Sequence, residues 1–183
     1  MPEPMSLQEI VLPITKPETE WILGRAVRKV SPFRTHALLQ TTMCIALAQW
    51  AKGRGEVGTE WRFRIAPPGE VRRPLVPDIS YVADARLDGL EGLELELPPF
   101  APDVAVEILA PSSRRLHLEH KIGVYLAGGS ALVIVVDPPQ RTVHLHDAGG
   151  VRTLRDDDVL AHDALPGFFL PLRDLFAVLE RRR

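Results

Sequence analysis

Residues 101–112 read Ala-Pro-Asp-Val-Ala-Val-Glu-Ile-Leu-Ala-Pro-Ser and lie in the middle of a chain of 183 residues. Their alternation predicts a strand over 103–109 with branched apolar side chains on one face. Glu107 falls on the opposite face, and a bare carboxylate inside an apolar strand is costly unless it is paired or bound to a metal. Two other interpretations of Glu107 stay open: a residue on a solvated face of the sheet, or a buried partner for an arginine.

A helix is predicted to follow this strand, from 114 to 127, because Pro111 ends the strand and Gly128-Gly129 ends the helix. The chain covers ~13 Å from Glu107 to the turn at strand rise. It covers ~12 Å from the turn to Lys121 at helix rise. If the helix folds back over its strand, Lys121 therefore returns level with Glu107. The alternative is a helix lysine exposed to solvent.

The remaining segments predict one domain of the α/β (α+β) class, with a mixed β-sheet flanked by helices. Residues 84–100 are predicted to be a loop, and residues 1–20, with four prolines and few apolar anchors, an N-terminal arm to a domain over 21–180. The other predicted elements are a hairpin over 21–30, a helix over 31–52 with Ser31 at its N-cap and Pro32 at its first position, strands over 57–65, 75–82, 132–136 and 141–146, a hairpin around 151–160, and a helix over 171–179.

Composition excludes several classes of protein. A hydrophobic fraction of 45% is ordinary for a globular domain and excludes disorder as the main state. The net charge of −2 is not that of a protein that coats nucleic acid, although a local basic groove stays open. A single cysteine excludes an internal disulfide, and no apolar run is long enough for a membrane span, so we expect a cytoplasmic protein without a membrane partner. Only 4 of the 22 cationic residues are lysines, which makes each lysine informative.

A second carboxylate stands on the predicted strand over 75–82, in the run Pro77-Asp78-Ile79-Ser80-Tyr81. Alternation puts Asp78 and Ser80 on one face of that strand. Two carboxylates from neighbouring strands and a lysine on the next helix are the groups used in metal-assisted phosphodiester hydrolysis. The carboxylates hold a hard cation such as Mg²⁺, the metal activates a bound water, and the lysine stabilises charge on the phosphate.

The ordered set of motifs resembles the bacterial Uma-two family, which is assigned to the PD-(D/E)XK nuclease superfamily. The resemblance covers roughly residues 20–180. It rests on Gly24 to Pro32 with His36, Pro77-Asp78, the run 101–112, Lys121 with Tyr125 and Gly128-Gly129, Val136-Asp137-Pro138, Leu165 to Phe168, and Leu175-Phe176.

The resemblance implies a restriction-endonuclease-like fold and a metal-dependent endonuclease acting on DNA, with Mg²⁺ or Mn²⁺ as cofactor. It implies that Asp78, Glu107 and the backbone carbonyl of Ile108 hold the metal. It also implies that the catalytic lysine has moved from the position now held by Leu109 to Lys121. His36 matches a helix position that the family often fills with histidine, and Gln40 follows it by one turn.

Two interpretations of His36 stay open. His36 and Gln40 could both face the site, since they are four positions apart. His36 is equally a partly buried histidine with a structural hydrogen bond.

The chain departs from the family pattern at three places, and two of them, Arg25 and residues 130–134, motivate an alternative function together with the net charge of −2. Arg25 follows the hairpin glycine where the family often has an acid, Ala110 replaces a usual serine, and the apolar residues 130–134 replace a Tyr-Trp motif. The alternative is a catalytically inactive module of the same fold, acting in nucleic-acid binding or protein assembly. A third hypothesis is a homodimer that pairs through 130–136.

Other candidate sites carry less weight. Arg114, His117 and Lys121 share a helix face that could contact phosphates. His144 and His146 could share a metal with a third ligand, although such pairs are usually solvated. Asp156 to Asp158 lacks the glycine and distal glutamate of a calcium loop and predicts a turn. Residues 181–183 predict a basic tail.

Overall fold

The computed structural model describes residues 9–180 of the protein. Its helices are α1 (Arg34–Trp50), α2 (Asp84–Leu87), α3 (Gly92–Glu96), α4 (Arg115–Ala127) and α5 (Leu172–Ala177). Its strands are β1 (Thr19–Ile22), β2 (Arg25–Arg28), β3 (Gly55–Thr59), β4 (Phe63–Ile65), β5 (Arg73–Leu75), β6 (Ile79–Ala83), β7 (Val104–Ile108), β8 (Leu132–Asp137), β9 (Thr142–Asp147), β10 (Gly150–Arg155), β11 (Val159–Leu160) and β12 (Leu170–Pro171).

The central sheet has six strands in the order β10-β9-β8-β7-β6-β3. β7 and β8 are parallel, because α4 carries the chain back across the sheet between them, and the other neighbours are antiparallel. β8 is buried along five of its six residues, as expected for a strand covered on both faces. The predicted α+β domain with a mixed sheet flanked by helices is confirmed.

Two apolar layers cover the faces of the sheet. On one face, α1 packs Leu39, Met43 and Leu47 against Val104 and Val106 of β7. The opposite face is covered by α4 and by the smaller sheets β1-β2 and β4-β5, through Ile122, Tyr125, Ile22, Phe63 and Ile65. The predicted alternation of β7 is confirmed, since Ala105 belongs to this second layer and the valines to the first. Glu107 therefore faces α4.

The N-terminal hairpin is built from β1 and β2 and turns at Leu23-Gly24, where both residues have positive φ. This confirms the predicted hairpin, but the boundary predicted at residue 21 falls inside β1. Glu18 and Glu20 are buried against the domain, and Glu18 pairs with Arg62. Residues 1–8 of the predicted arm lie outside the described residues.

Five local predictions are wrong. The predicted strands over 57–65 and 75–82 are each broken into two, with β3 and β6 in the central sheet and β4 and β5 in a separate one. α1 begins at Arg34 rather than at Pro32, because Phe33 has the extended backbone of an N-cap and its carbonyl accepts the first helical hydrogen bond. Residues 151–160 do not form a hairpin of their own: β10 pairs with β9, and β11 pairs with β12. Residues 84–100 contain the short helices α2 and α3.

The surface predicted for a homodimer at 130–136 is buried within the fold apart from Ala131, and the homodimer itself stays a prediction. Residues 132–136 belong to β8, between β7 and β9, and their side chains pack into the two layers of the core. A continuous apolar run with no polar face has both faces covered within the fold, so it offers no surface to a second copy. Within residues 9–180, no helix has the length and apolarity needed to cross a bilayer.

Two glycines give a matched test of the packing. A Cβ on Gly55 would lie 2.2 Å from the carbonyl oxygen of Val82 and 2.8 Å from Cα of Ala83. Gly123 is an exposed residue of α4 whose added Cβ meets nothing within 4 Å. We expect Gly55→Ala to lower the free energy of unfolding by roughly 2–3 kcal/mol. Gly123→Ala should raise it by roughly 0.5–1 kcal/mol, because alanine favours the helix.

Urea denaturation of the two variants measures both effects. Equal stability of Gly55→Ala and the wild type would contradict the close pairing of β3 and β6.

Candidate active site

A cavity of about 730 Å³ opens between the β1-β2 hairpin, the start of α1, the end of β7 and the start of α4. All six residues predicted for the site line it: His36, Gln40, Asp78, Glu107, Ile108 and Lys121. The carboxylates reach it from adjacent strands, because Asp78 immediately precedes β6 and Glu107 is near the end of β7. The predicted return of α4 over its strand is what brings in Lys121.

Lys121 is buried and surrounded by three oxygens. Its Nζ lies 2.7 Å from Oε1 of Glu107 and 2.8 Å from Oε1 of Glu20, and it donates to the carbonyl of Val76 at 3.4 Å. The alternative of a solvent-exposed lysine is wrong. Burial alone would lower the pKa of Lys121, but Glu107 and Glu20 reverse the effect and raise it, so the side chain stays charged.

A second lysine, Lys29, enters the same cavity from the end of β2. Its Nζ donates to Oδ1 of Asp78 at 2.8 Å, to the carbonyl of Val76 at 2.9 Å and to Oε1 of Glu60 at 3.2 Å. Burial alone would lower the pKa of Lys29, but Asp78 and the neighbouring glutamates raise it above its ordinary value. The cavity therefore contains two ammonium groups where the motifs predicted one.

The peptide groups of Val76 connect the two lysines. Its carbonyl accepts from both ammonium groups, and its N–H donates to Oε1 of Glu20 at 2.8 Å. Val76 precedes Pro77, and a residue before proline is restricted to extended conformations. The Pro-Asp motif thus fixes the backbone on which both lysines converge, in addition to supplying Asp78.

Asp78 is held by contacts from three directions. The N–H of Ile108 donates to its Oδ2 at 2.7 Å, Nε2 of His36 lies 3.1 Å from the same oxygen, and Lys29 occupies Oδ1. Gln40 donates to the backbone carbonyl of Asp78 at 2.8 Å. Burial alone would raise the pKa of Asp78, but Lys29 and His36 lower it below its ordinary value, so this carboxyl is ionised.

Glu107 differs from Asp78 in its electrostatics. Its Oε1 accepts from the hydroxyl of Tyr125 at 2.9 Å and pairs with Lys121. Burial raises the pKa of Glu107 from 4.5 to about 7, with Lys121 opposing the shift and Asp78 reinforcing it. Burial and Glu107 raise the pKa of Tyr125 well above its ordinary value, so Tyr125 remains a hydrogen-bond donor. Of the interpretations left open for Glu107, the buried pair is confirmed, with lysine in place of arginine.

Sequence reasoning missed three residues of this site: Glu20, Lys29 and Glu60. Glu20 was assigned to the arm. Lys29 carried one usable signal, because it is one of only four lysines in an arginine-rich chain. Glu60 follows β3 and has a positive φ of 53°, a conformation that no pattern in the sequence predicts.

The donor set fits a hard divalent cation. Asp78 and Glu107 present carboxylate oxygens to one cavity, and Mg²⁺ is usually held by one or two carboxylates together with waters and substrate phosphates. A full protein cage is not required, and none is found: among residues 9–180, no group of three or more His, Cys, Asp or Glu is placed to hold a metal.

The histidine pair and the aspartate run that were also candidates lie outside this cavity. His144 instead contacts the hydroxyls of Thr142 and Thr153 on the outer strands. Asp158 closes a turn by accepting from the N–H of Arg155, which confirms the predicted turn. Residues 181–183 lie outside the described part of the chain.

The rim of the cavity is basic. Arg25, Arg28 and Arg114 are exposed and line its mouth, and a guanidinium nitrogen of Arg25 lies 3.3 Å from Nε2 of His117. Arg25 is the residue that departs from the family pattern. The mouth of the cavity is therefore cationic while its floor carries carboxylates.

The raised pKa of Glu107 predicts a pH effect on stability. The unfolded chain loses this proton near pH 4.5, whereas the folded chain holds it to about pH 7. Folding takes up a proton in this window, so the free energy of unfolding falls as the pH rises through it. Glu107→Gln cannot titrate and should gain roughly 1–3 kcal/mol over the wild type between pH 5 and 7.5.

Urea denaturation at both pH values measures the difference, with Glu56→Gln, an exposed carboxyl on β3, as control. If the free energy of unfolding depends on pH in the same way for the wild type and Glu107→Gln, the raised pKa of Glu107 is contradicted.

Comparisons with known proteins identify the family and the fold. A crystal structure of a putative nuclease belonging to DUF820 from Anabaena variabilis ATCC 29413 superposes with a TM-score of 0.80 and 25% sequence identity, covering 92% of this chain and 94% of that one. No curated protein shows significant similarity to the chain. The model of the Uma2 family, described as putative restriction endonuclease, matches residues 10–173. The chain belongs to the Uma2 family and has a nuclease-like fold.

Proposed function

We propose that the protein is a Mg²⁺-dependent endonuclease that hydrolyses phosphodiester bonds of DNA. One observation carries the proposal: Asp78, Glu107 and Lys121 converge in a single cavity with a cationic mouth. Carboxylates and a lysine on the floor suit phosphodiester chemistry, and cations at the mouth suit a polyanionic substrate.

Asp78 and Glu107, with the carbonyl of Ile108, would hold the metal. When bound, the metal supplies Lewis-acid polarisation of the phosphate and lowers the pKa of a bound water. Lys121 then has the catalytic role of stabilising charge that develops on the phosphate oxygens. Glu20 and Glu107 hold it at the floor of the cavity, and it would exchange one of its oxygen neighbours to contact the phosphate.

His36, Gln40 and Tyr125 act as positioning residues in this proposal. His36 orients the Asp78 carboxylate, and Gln40 fixes the backbone of the same residue. Tyr125 donates to Oε1 of Glu107, so Oε2 of Glu107 takes no part in this hydrogen bond. The three come from both helices that flank the sheet, which makes the carboxylate pair rigid.

Arg25, Arg28, Arg114 and His117 would bind phosphates of the nucleotides that flank the scissile bond. They lie at the mouth of the cavity, whereas Lys121 lies at its floor. Such contacts position the backbone without reading its sequence.

A catalytically inactive nucleic-acid-binding module is the second candidate. Each ammonium group already has three oxygen neighbours, so Lys121 must exchange one of them before it can contact a substrate. Binding at the rim would not need this exchange. DNA binding without cleavage in the presence of metal would favour this module.

Cleavage of supercoiled plasmid and of single-stranded DNA with Mg²⁺ or Mn²⁺ tests the proposal. We expect metal-dependent cutting by the wild type. Asp78→Asn and Lys121→Met should each reduce the rate by ~100-fold or more, because the first removes a charge that would hold the metal and the second removes a charge that would act on the reacting phosphate.

The matched controls are Asp88→Asn and Lys52→Met, which alter exposed residues away from the cavity and should cut like the wild type. Circular dichroism verifies that all four variants fold. Absence of cutting by the wild type with both metals, or cutting that persists in Asp78→Asn, would sink the nuclease proposal.

The rim predicts a salt effect on DNA binding. Arg25→Ala should weaken binding to every DNA sequence alike and reduce the slope of log K against log salt by ~1, because one phosphate contact is lost. Fluorescence anisotropy over a range of salt concentrations measures the slope. Arg155→Ala, an exposed residue of β10 outside the cavity, serves as control, and equal slopes for the two variants would exclude the rim as the binding surface.

A further inference from the structure

Lys29 has a role that neither the motifs nor the nuclease chemistry requires. Its side chain is only 11% exposed, and its three ammonium protons have three acceptors: a carboxylate oxygen of Asp78, one of Glu60 and the carbonyl of Val76. All three acceptors are oxygen atoms that carry negative charge or a strong bond dipole. A hard divalent cation binds the same kind of oxygen atoms.

The pocket around Lys29 is held in place by the backbone. Glu60 has a φ of 53°, an uncommon conformation for a residue with a side chain, and its N–H donates to the carbonyl of Asp78 at 3.3 Å. Asp78 itself is fixed through the N–H of Ile108. The acceptors of Lys29 are therefore positioned independently of Lys29.

We propose that Lys29 is a built-in cation that competes with the divalent metal for Asp78. The ammonium occupies Oδ1 of Asp78, and the N–H of Ile108 and His36 occupy Oδ2. These contacts occupy three of the roughly four lone-pair sites of the carboxylate, so a metal that takes Asp78 as a ligand lies within a few Å of the ammonium charge unless Lys29 withdraws. Lys29 thus lowers the metal affinity and holds the site in a charged, ordered state at low metal concentration. This inference rests on the proposed function for the identity of the metal ligands.

Lys121 does not compete in the same way. Lys121 comes from α4 and pairs with Glu20 and with the other proposed ligand, Glu107, whereas Lys29 pairs with Asp78. Removing the charge of Lys29 should therefore raise the metal affinity while the proposed catalytic lysine stays in place.

Titration with Mn²⁺ alone, followed by isothermal calorimetry and by thermal stabilisation of the whole chain, tests this inference. We expect Lys29→Met and Lys29→Gln to bind Mn²⁺ at least ~10-fold more tightly than the wild type, because a unit charge within a few Å of a divalent ion opposes its binding strongly. Lys29→Gln keeps a hydrogen-bond donor for Asp78, so it decides the question if Lys29→Met does not fold.

Two control variants complete the experiment. Lys29→Arg keeps the charge and should bind Mn²⁺ as weakly as the wild type, and Lys52→Gln removes an exposed lysine and should change nothing. Equal or weaker binding by folded Lys29→Gln would overturn the inference, as would the absence of Mn²⁺ binding by all variants.

The readout is separate from cleavage. If Lys29→Gln binds Mn²⁺ more tightly than the wild type and neither protein cuts DNA, the competition holds and the nuclease proposal fails. If the wild type cuts DNA and Lys29→Gln shows unchanged affinity, the nuclease proposal holds and the competition fails.

Discussion

Two ammonium groups buried beside one carbonyl are the constraint on which the rest of the structure depends. A buried charge is costly unless it is paired and its hydrogen bonds are made. Lys29 and Lys121 satisfy this requirement with oxygens from β1, β7, the turn after β3 and the segment before β6. Four parts of the chain must therefore arrive together, and the hairpin that carries Glu20 and Lys29 becomes part of the site.

The parts that sequence could predict are those fixed by local periodicity. Residues 103–127 form a strand, a turn and a helix in succession, and the known rises of strand and helix suffice to bring Lys121 to Glu107. The positions of Lys29 and Glu20 could not be predicted in this way, because local periodicity does not determine them. They meet Asp78 and Lys121 across 49 and more residues of intervening chain, and no periodic pattern encodes which loop a hairpin will cover.

The errors in strand pairing have a related cause. Residues 151–160 show two short extended segments, and the sequence does not state that one pairs backward with β9 and the other forward with β12. The apolar run 132–136 predicts a strand buried on both faces, and the structure confirms it in β8, between β7 and β9. The same run also suggested a dimer surface, because an uninterrupted apolar strand lacks the alternation that marks a solvent-facing side.

The two carboxyl groups of the site have pKa values that are shifted in opposite directions. Lys29 and His36 lower the pKa of Asp78, whereas burial raises that of Glu107 to about 7. Burial favours the neutral form of both carboxyls. At Asp78 the charges of Lys29 and His36 outweigh this effect, whereas at Glu107 the charge of Lys121 offsets it only in part. The two residues lie on neighbouring strands, yet their positions in the motif do not reveal this difference, because it depends on side chains that reach the cavity from β2, α1 and α4.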